Sequence, residues 1–152
     1  MYAAQGSASL MCLPQLAVIL PCFNAGPFIA KSIATLSTDL TAAGVAHEIL
    51  VVNDGSTDDI AQQLSLIRDP HVQVLTMSYN RGKGAAIKEG LKHARATNII
   101  FTDDEIPYGT EPILHCYEKL LSGATLTIGD RTLPESRTQH RCHGCAVSSV
   151  RD

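Results

Sequence analysis

The chain has 152 residues, 45% hydrophobic and 18% charged, a balance that supports one buried core and excludes a disordered polar segment. Twelve basic against fifteen acidic residues give a formal net charge of −3, which excludes general attraction to nucleic acid and requires phosphate recognition to be local. Five cysteines, Cys12, Cys22, Cys116, Cys142 and Cys145, follow no disulfide-framework spacing, so a reducing, cytoplasmic setting is expected.

The apolar run Leu10 to Leu20 lacks the basic start of a signal peptide, because no Lys or Arg precedes Lys31, and Pro14, Gln15 and Pro21 interrupt or end it. No apolar stretch reaches the ~18 to 20 residues of a membrane span. Leu16 to Leu20 instead reads as a strand buried on both faces and closed by Pro21. A helix is predicted from Pro27, with Ile29, Ile33, Leu36 and Leu40 on one face, and Gly44 ends the turn after it. His47 to Val52 is the second strand. It runs into Asn53-Asp-Gly-Ser-Thr-Asp-Asp59, where Ser56 and Asp59 have capping-box spacing before a helix carrying Ile60, Leu64 and Ile67.

Val72 to Met77 is a third strand, and Gly82-Lys-Gly84 opens a helix predicted to bury Ile87, Leu91 and Ala94. The fourth strand, Asn98 to Thr102, delivers Asp103, Asp104 and Glu105 at its carboxyl end. A helix carrying Ile113, Tyr117, Leu120 and Leu121 and a strand from Ala124 to Ile128 follow, while 129–152 shows no sustained period and 132–152 is expected to be an irregular tail. Alternating buried strands and amphipathic helices imply an α/β class with a mostly parallel sheet between two helical layers. Ligands of such sheets lie beyond the carboxyl ends of the strands, which brings Asp54 and the acidic cluster to one mouth.

Carboxylates clustered there call for a positive partner, and hard oxygen ligands suit a divalent cation such as Mg²⁺, with Asp103 and Glu105 as the pair and Asp104 pointing elsewhere. A solvated, helix-capping acidic turn is equally consistent with spacing alone. Asp54 can bond its own turn backbone or accept bonds from a ribose or base. The Asn80-Arg-Gly-Lys-Gly84 loop can bring helix-start amides, with Arg81 or Lys83, to a nucleotide, although it has neither Walker A nor dinucleotide-fingerprint spacing. His140, Cys142, His143 and Cys145 are weak evidence for zinc, since one Cys-x-x-Cys lacks a second ligand pair.

Together, Val18-Ile-Leu-Pro-Cys-Phe-Asn24, Val51-Val-Asn-Asp-Gly-Ser-Thr-Asp58, Asn80-Arg-Gly-Lys-Gly-Ala-Ala86 and Phe101-Thr-Asp-Asp-Glu-Ile-Pro-Tyr-Gly109 resemble, in order, the motifs of family 2 glycosyltransferases. The resemblance runs from about Ala17 to Arg131 and is nearest to dolichyl-phosphate mannose and undecaprenyl-phosphate sugar synthases. It implies a GT-A fold, a UDP- or GDP-linked sugar donor, a divalent Mg²⁺ or Mn²⁺, and inverting transfer to an acceptor such as polyprenyl phosphate. By position, Pro21 and Asn24 match the first nucleotide-contact loop, Asp54 the base- or ribose-binding acid, and Lys83 the glycine-containing loop. Asp103 and Glu105 match the Asp-x-Asp metal motif, with Glu departing from the second Asp. Arg131, in Gly129-Asp-Arg131, matches an arginine that meets phosphate, with Asp130 in place of the family's Ser.

The family's catalytic domain usually continues further, so a single truncated or naturally short domain over 1–152 that keeps the donor half is expected. The alternative to an active transferase is a non-catalytic nucleotide-binding module, one that pairs with another chain or a second copy through surface left bare. A lipid acceptor implies peripheral contact with the inner face of a membrane.

Overall fold

The computed structural model describes residues 13–129 and the strand at 146–149. Strands β1 (Leu16–Cys22) and β2 (His47–Asn53) are buried along their whole length, as the continuous apolar runs require of strands covered on both faces. They pair in parallel from Leu16↔His47 to Cys22↔Asn53. On the other side, β4 (Asn98–Phe101) pairs with β1 only as far as Ile19↔Phe101, so Pro21, which has no N–H to give, lies beyond the last β4 pair. The remaining strands are β3 (Val72–Thr76), β5 (Leu126–Ile128) and β6 (Ala146–Ser149), in the order β3-β2-β1-β4-β6-β5. The first four are parallel, and β6 runs antiparallel to both β4 and β5. A strand at Ala146–Ser149 corrects the expectation that 129–152 carries no strand; a four-residue Ala-Val-Ser-Ser segment is too short for its alternation to register.

The helices are α1 (Ile29–Ala42, after a 3-10 turn at Gly26–Phe28), α2 (Ile60–Ser65), α3 (Lys83–His93) and α4 (Glu111–Leu121). Successive β1 side chains alternate between layers. Leu16, Val18 and Leu20 meet α1, α2 and α4, whereas Ala17 and Ile19 face α3. The architecture is thus three-layered α/β/α with helices on both faces.

Helix α3 does not bury the predicted stripe. Ala86 and Gly90 face the sheet, Ile87 is half-buried and Leu91 is 37% exposed. The reason is close approach: a Cβ on Gly90 would stand 2.7 Å from Ile19 Cγ2, so the contacting face has to be small rather than strongly apolar. Leu121, expected on the buried side of α4, is 62% exposed. The turn from α3 into β4 is anchored on β2, where buried Glu48 accepts bonds from the Arg95 amide (2.6 Å), Arg95 Nε (2.9 Å) and the Ala96 amide (3.0 Å).

At the amino ends of β2 and β3, away from the ligand mouth, buried His47 directs Nδ1 to the Val45 carbonyl (2.9 Å), and its ring centroid lies 4.6 Å from that of His71. Its Nε2 is buried without a partner. Burial, joined by repulsion from His71, lowers the His47 pKa below 6.5, against the opposing pull of the Val45 carbonyl and Asp69. A base whose folded pKa is depressed contributes stability in full above its unfolded value and loses it as pH falls through that value toward the folded one. Chemical denaturation should therefore show stability dropping from about pH 7.5 to about pH 5.5 more steeply in the wild type than in His47→Gln. Identical slopes would remove this account.

Candidate functional site

Three loops meet at the carboxyl ends of β1, β2 and β3. After β1, Asn24 takes a left-handed φ of 51°. Its amide donates to Ser56 Oγ (3.0 Å), and its Oδ1 accepts from the Thr57 amide (3.0 Å). Ser56 is therefore turned toward Asn24 rather than capping α2, which corrects the capping-box reading: Asp59 is the N-cap, without a side-chain cap bond, and its Oδ1 accepts from Gln63 Nε2. Buried Asn53 supports the same turn, its Oδ1 accepting from the Ser56 amide (2.9 Å), while its Nδ2 is buried without a partner.

Asp54 is 3% exposed and connects two loops. Its amide donates to the Cys22 carbonyl (2.9 Å), Oδ1 accepts from the Arg81 amide (2.8 Å) and Oδ2 from the Gly82 amide (2.7 Å). Beside it, Gly55 (φ 67°) lies so close to the loop after β3 that a Cβ would stand 2.4 Å from the Tyr79 carbonyl carbon. Gly82, at φ 88°, precedes the first residue of α3, Lys83, and no side chain caps this helix start. An uncapped helix start offers amides and a positive dipole end to an anion.

The fourth contributor is the acidic loop after β4. Lys83 Nζ contacts Asp103 Oδ1 directly, which ties the glycine loop to the acids. Asp104 is half-buried, and burial, then the charges of Glu105 and Asp103, raise its carboxyl above the usual range against backbone hydrogen bonds that lower it. Burial first, then Asp104, Asp58 and Asp54, push the Cys22 thiol up to about 12, so it is a protonated donor to the Val52 carbonyl rather than a nucleophile.

Glu105 is exposed and lines a separate cleft of about 440 Å³, shared with Phe28, Lys31 and Ser32 on one wall and Ile106 and Thr110 on the other. Ser32 Oγ donates to the Glu105 carbonyl (3.5 Å), Thr110 Oγ1 donates to Asp39 Oδ2 (2.6 Å), and between them Ile106 holds a left-handed φ of 45°. A β-branched residue in that region is strained, and the two bonds to α1 hold the loop in place.

Asp54, Lys83 and Asp103 are thus brought into one connected network, with Asn24 joined through Ser56 and Thr57, and Pro21 is buried at its base. Glu105 stands on the α1 side of the same loop, and among the described residues no group of three His, Cys, Asp or Glu side chains is arranged to hold a metal. The carboxylate oxygens of Asp103 and Glu105 are hard donors of the kind that suits a divalent cation whose remaining ligands are phosphate and water. Arg131 and the tail histidines and cysteines, His140, Cys142, His143 and Cys145, lie outside the described residues. Sequence reasoning gave Ser32 no role and placed Asn53 and Ser56 only in a turn and cap. The Ser32–Glu105 and Ser56–Asn24 bonds join segments far apart in the chain, whereas the Asn53–Ser56 bond is local to the turn.

The α/β/α sandwich with this mouth shares the GT-A fold of solved glycosyltransferases. S. aureus TarS 1-349 in complex with UDP-GlcNAc aligns over 83% of this chain and 38% of that one, at TM-score 0.60 and 22% identity. A mannosyltransferase from Pyrobaculum calidifontis, solved with GDP-Man and Mn²⁺, aligns over 62% and 28%, at TM-score 0.51 and 24% identity. The glycosyl transferase family 2 profile matches residues 17–143, and the chain belongs to that family. The uncharacterized glycosyltransferase YkcC of Bacillus subtilis is 30% identical over 127 residues, 82% of this chain and 39% of the relative. The undecaprenyl-phosphate 4-deoxy-4-formamido-L-arabinose transferase of Klebsiella pneumoniae is 28% identical over 112 residues, 72% of this chain and 34% of that protein. The chain therefore spans well under half the length of these relatives. Among the described residues no helix is long and apolar enough to cross a membrane.

Proposed function

We propose that the mouth binds a UDP- or GDP-linked sugar with Mg²⁺ or Mn²⁺, and that the chain serves inverting transfer of the sugar to a polyprenyl phosphate. The observation that carries this reading is the continuous link from Asp54 through the Arg81 and Gly82 amides to Lys83 and Asp103, in a chain of this family. Nucleotide binding places the diphosphate at the uncapped start of α3, where Lys83 and the helix amides neutralise it. Asp103 would hold the cation, with Glu105 joining it by a turn of its exposed side chain out of the α1 cleft, and the cation would neutralise the charge of the leaving diphosphate. Asn24 and Asp54 fix the loops around the nucleoside, and Arg131 meets phosphate. A phosphate acceptor is already anionic and attacks in line without a general base. The named substrate of the Klebsiella relative supports a lipid-phosphate acceptor, and such an acceptor would bring the chain to a membrane surface.

Calorimetric titration with UDP and GDP, with and without Mn²⁺, tests donor binding. Metal-dependent heat is expected, and Glu105→Ala should weaken the metal-dependent binding by about tenfold. Transfer of labelled sugar to a polyprenyl-phosphate extract then separates an active enzyme from a nucleotide-binding module without turnover. Absence of nucleotide heat in a folded sample removes both.

A further inference from the structure

We propose that Lys83 is a built-in counter-ion for Asp103, so that the donor diphosphate and the divalent cation bind the mouth synergistically and the cation binds poorly by itself. This rests on the donor-binding reading above. Lys83 is the first residue of α3, and its ammonium reaches Asp103 directly across the mouth. Its position is held from behind, because Asp54 fixes the amides of Arg81 and Gly82 and Asn80 Oδ1 accepts a second bond from Gly82 (3.0 Å). One carboxylate oxygen thereby carries a positive partner before any ligand arrives.

A cation approaching Asp103 meets that ammonium on Oδ1, and displacing it takes from Lys83 the anion it is paired with. A diphosphate supplies the anion. It accepts Lys83, frees Asp103 and adds its own oxygens to the cation, so each ligand raises the affinity of the other by the same factor. Both side chains remain partly exposed, 43% for Lys83 and 23% for Asp103, so the exchange requires no opening of the core.

Mn²⁺ titration followed by electron paramagnetic resonance, without nucleotide, tests this. Lys83→Ala should bind Mn²⁺ about three- to fivefold more tightly than wild type, and Lys83→Arg should resemble wild type. Lys88→Ala, which removes the same charge elsewhere on α3, should leave Mn²⁺ affinity near the wild-type value. Adding UDP or GDP should tighten Mn²⁺ binding in wild type and much less in Lys83→Ala. Unchanged or weaker Mn²⁺ binding in Lys83→Ala, or an equal gain in Lys88→Ala, overturns the counter-ion role even where nucleotide still binds. Failure of every variant to bind nucleotide with Mn²⁺ instead overturns the donor reading.

Discussion

Gly55→Ala is expected to lose at least about 3 kcal/mol of unfolding free energy, read as a lowered urea midpoint at unchanged slope. Two costs coincide at this position. Its φ of 67° strains any side chain, and an added Cβ meets backbone at 2.4 Å from Tyr79 C, 2.5 Å from Tyr79 Cα and 2.6 Å from Asn80 N. None of these atoms is the free end of a flexible side chain, so relief requires the β2 and β3 loops to separate. Gly84→Ala is the internal control: nothing lies within 4 Å of its added Cβ, and a helical alanine should be neutral or stabilise by up to about 1 kcal/mol. A mild Gly55→Ala phenotype would mean that the two loops are not held in contact.

Asp54→Ala should weaken UDP or GDP binding in the presence of Mn²⁺ at least about tenfold and reduce stability by about 1–3 kcal/mol. The substitution leaves the Arg81 and Gly82 amides without the acceptors that set the glycine loop and, through it, the placement of Lys83. Asp54→Asn keeps one acceptor oxygen and should fall between the two. Inorganic pyrophosphate distinguishes loop positioning from direct contact with the nucleoside. If Asp54 acts by shaping the loop, pyrophosphate binding falls along with nucleotide binding. Loss confined to UDP and GDP would assign the acid to base or ribose instead.

The buried strands were legible because Leu16 to Leu20 and His47 to Val52 are near-continuous apolar runs, and the sheet buries every one of those positions. The α3 contact was misread because periodicity weighs large apolar residues, whereas the sheet is approached by Ala86 and Gly90 and excludes anything bulkier at the latter. Strand β6 left too short a pattern to be seen. At the site, the sequence brought Asp54 and the acids to one mouth through strand ends alone. It could not show that both Asp54 oxygens are taken by the glycine loop, or that Glu105 turns to the α1 cleft while Asp103 turns to Lys83. Those facts depend on pairings between residues far apart in sequence. Ser56 makes the same point: its spacing to Asp59 fitted a cap, and a competing donor, the Asn24 amide, took its oxygen.

Asn24, through its paired bonds to Ser56 and Thr57, joins the first loop to the second, and Asp54 joins the second to the third. Segments linked in this way lose little conformational freedom when a guest arrives, because hydrogen bonds within the protein already fix their mutual arrangement. Association then draws mainly on desolvation and charge neutralisation, so affinity should respond to ionic strength more than to the stiffness of any one loop.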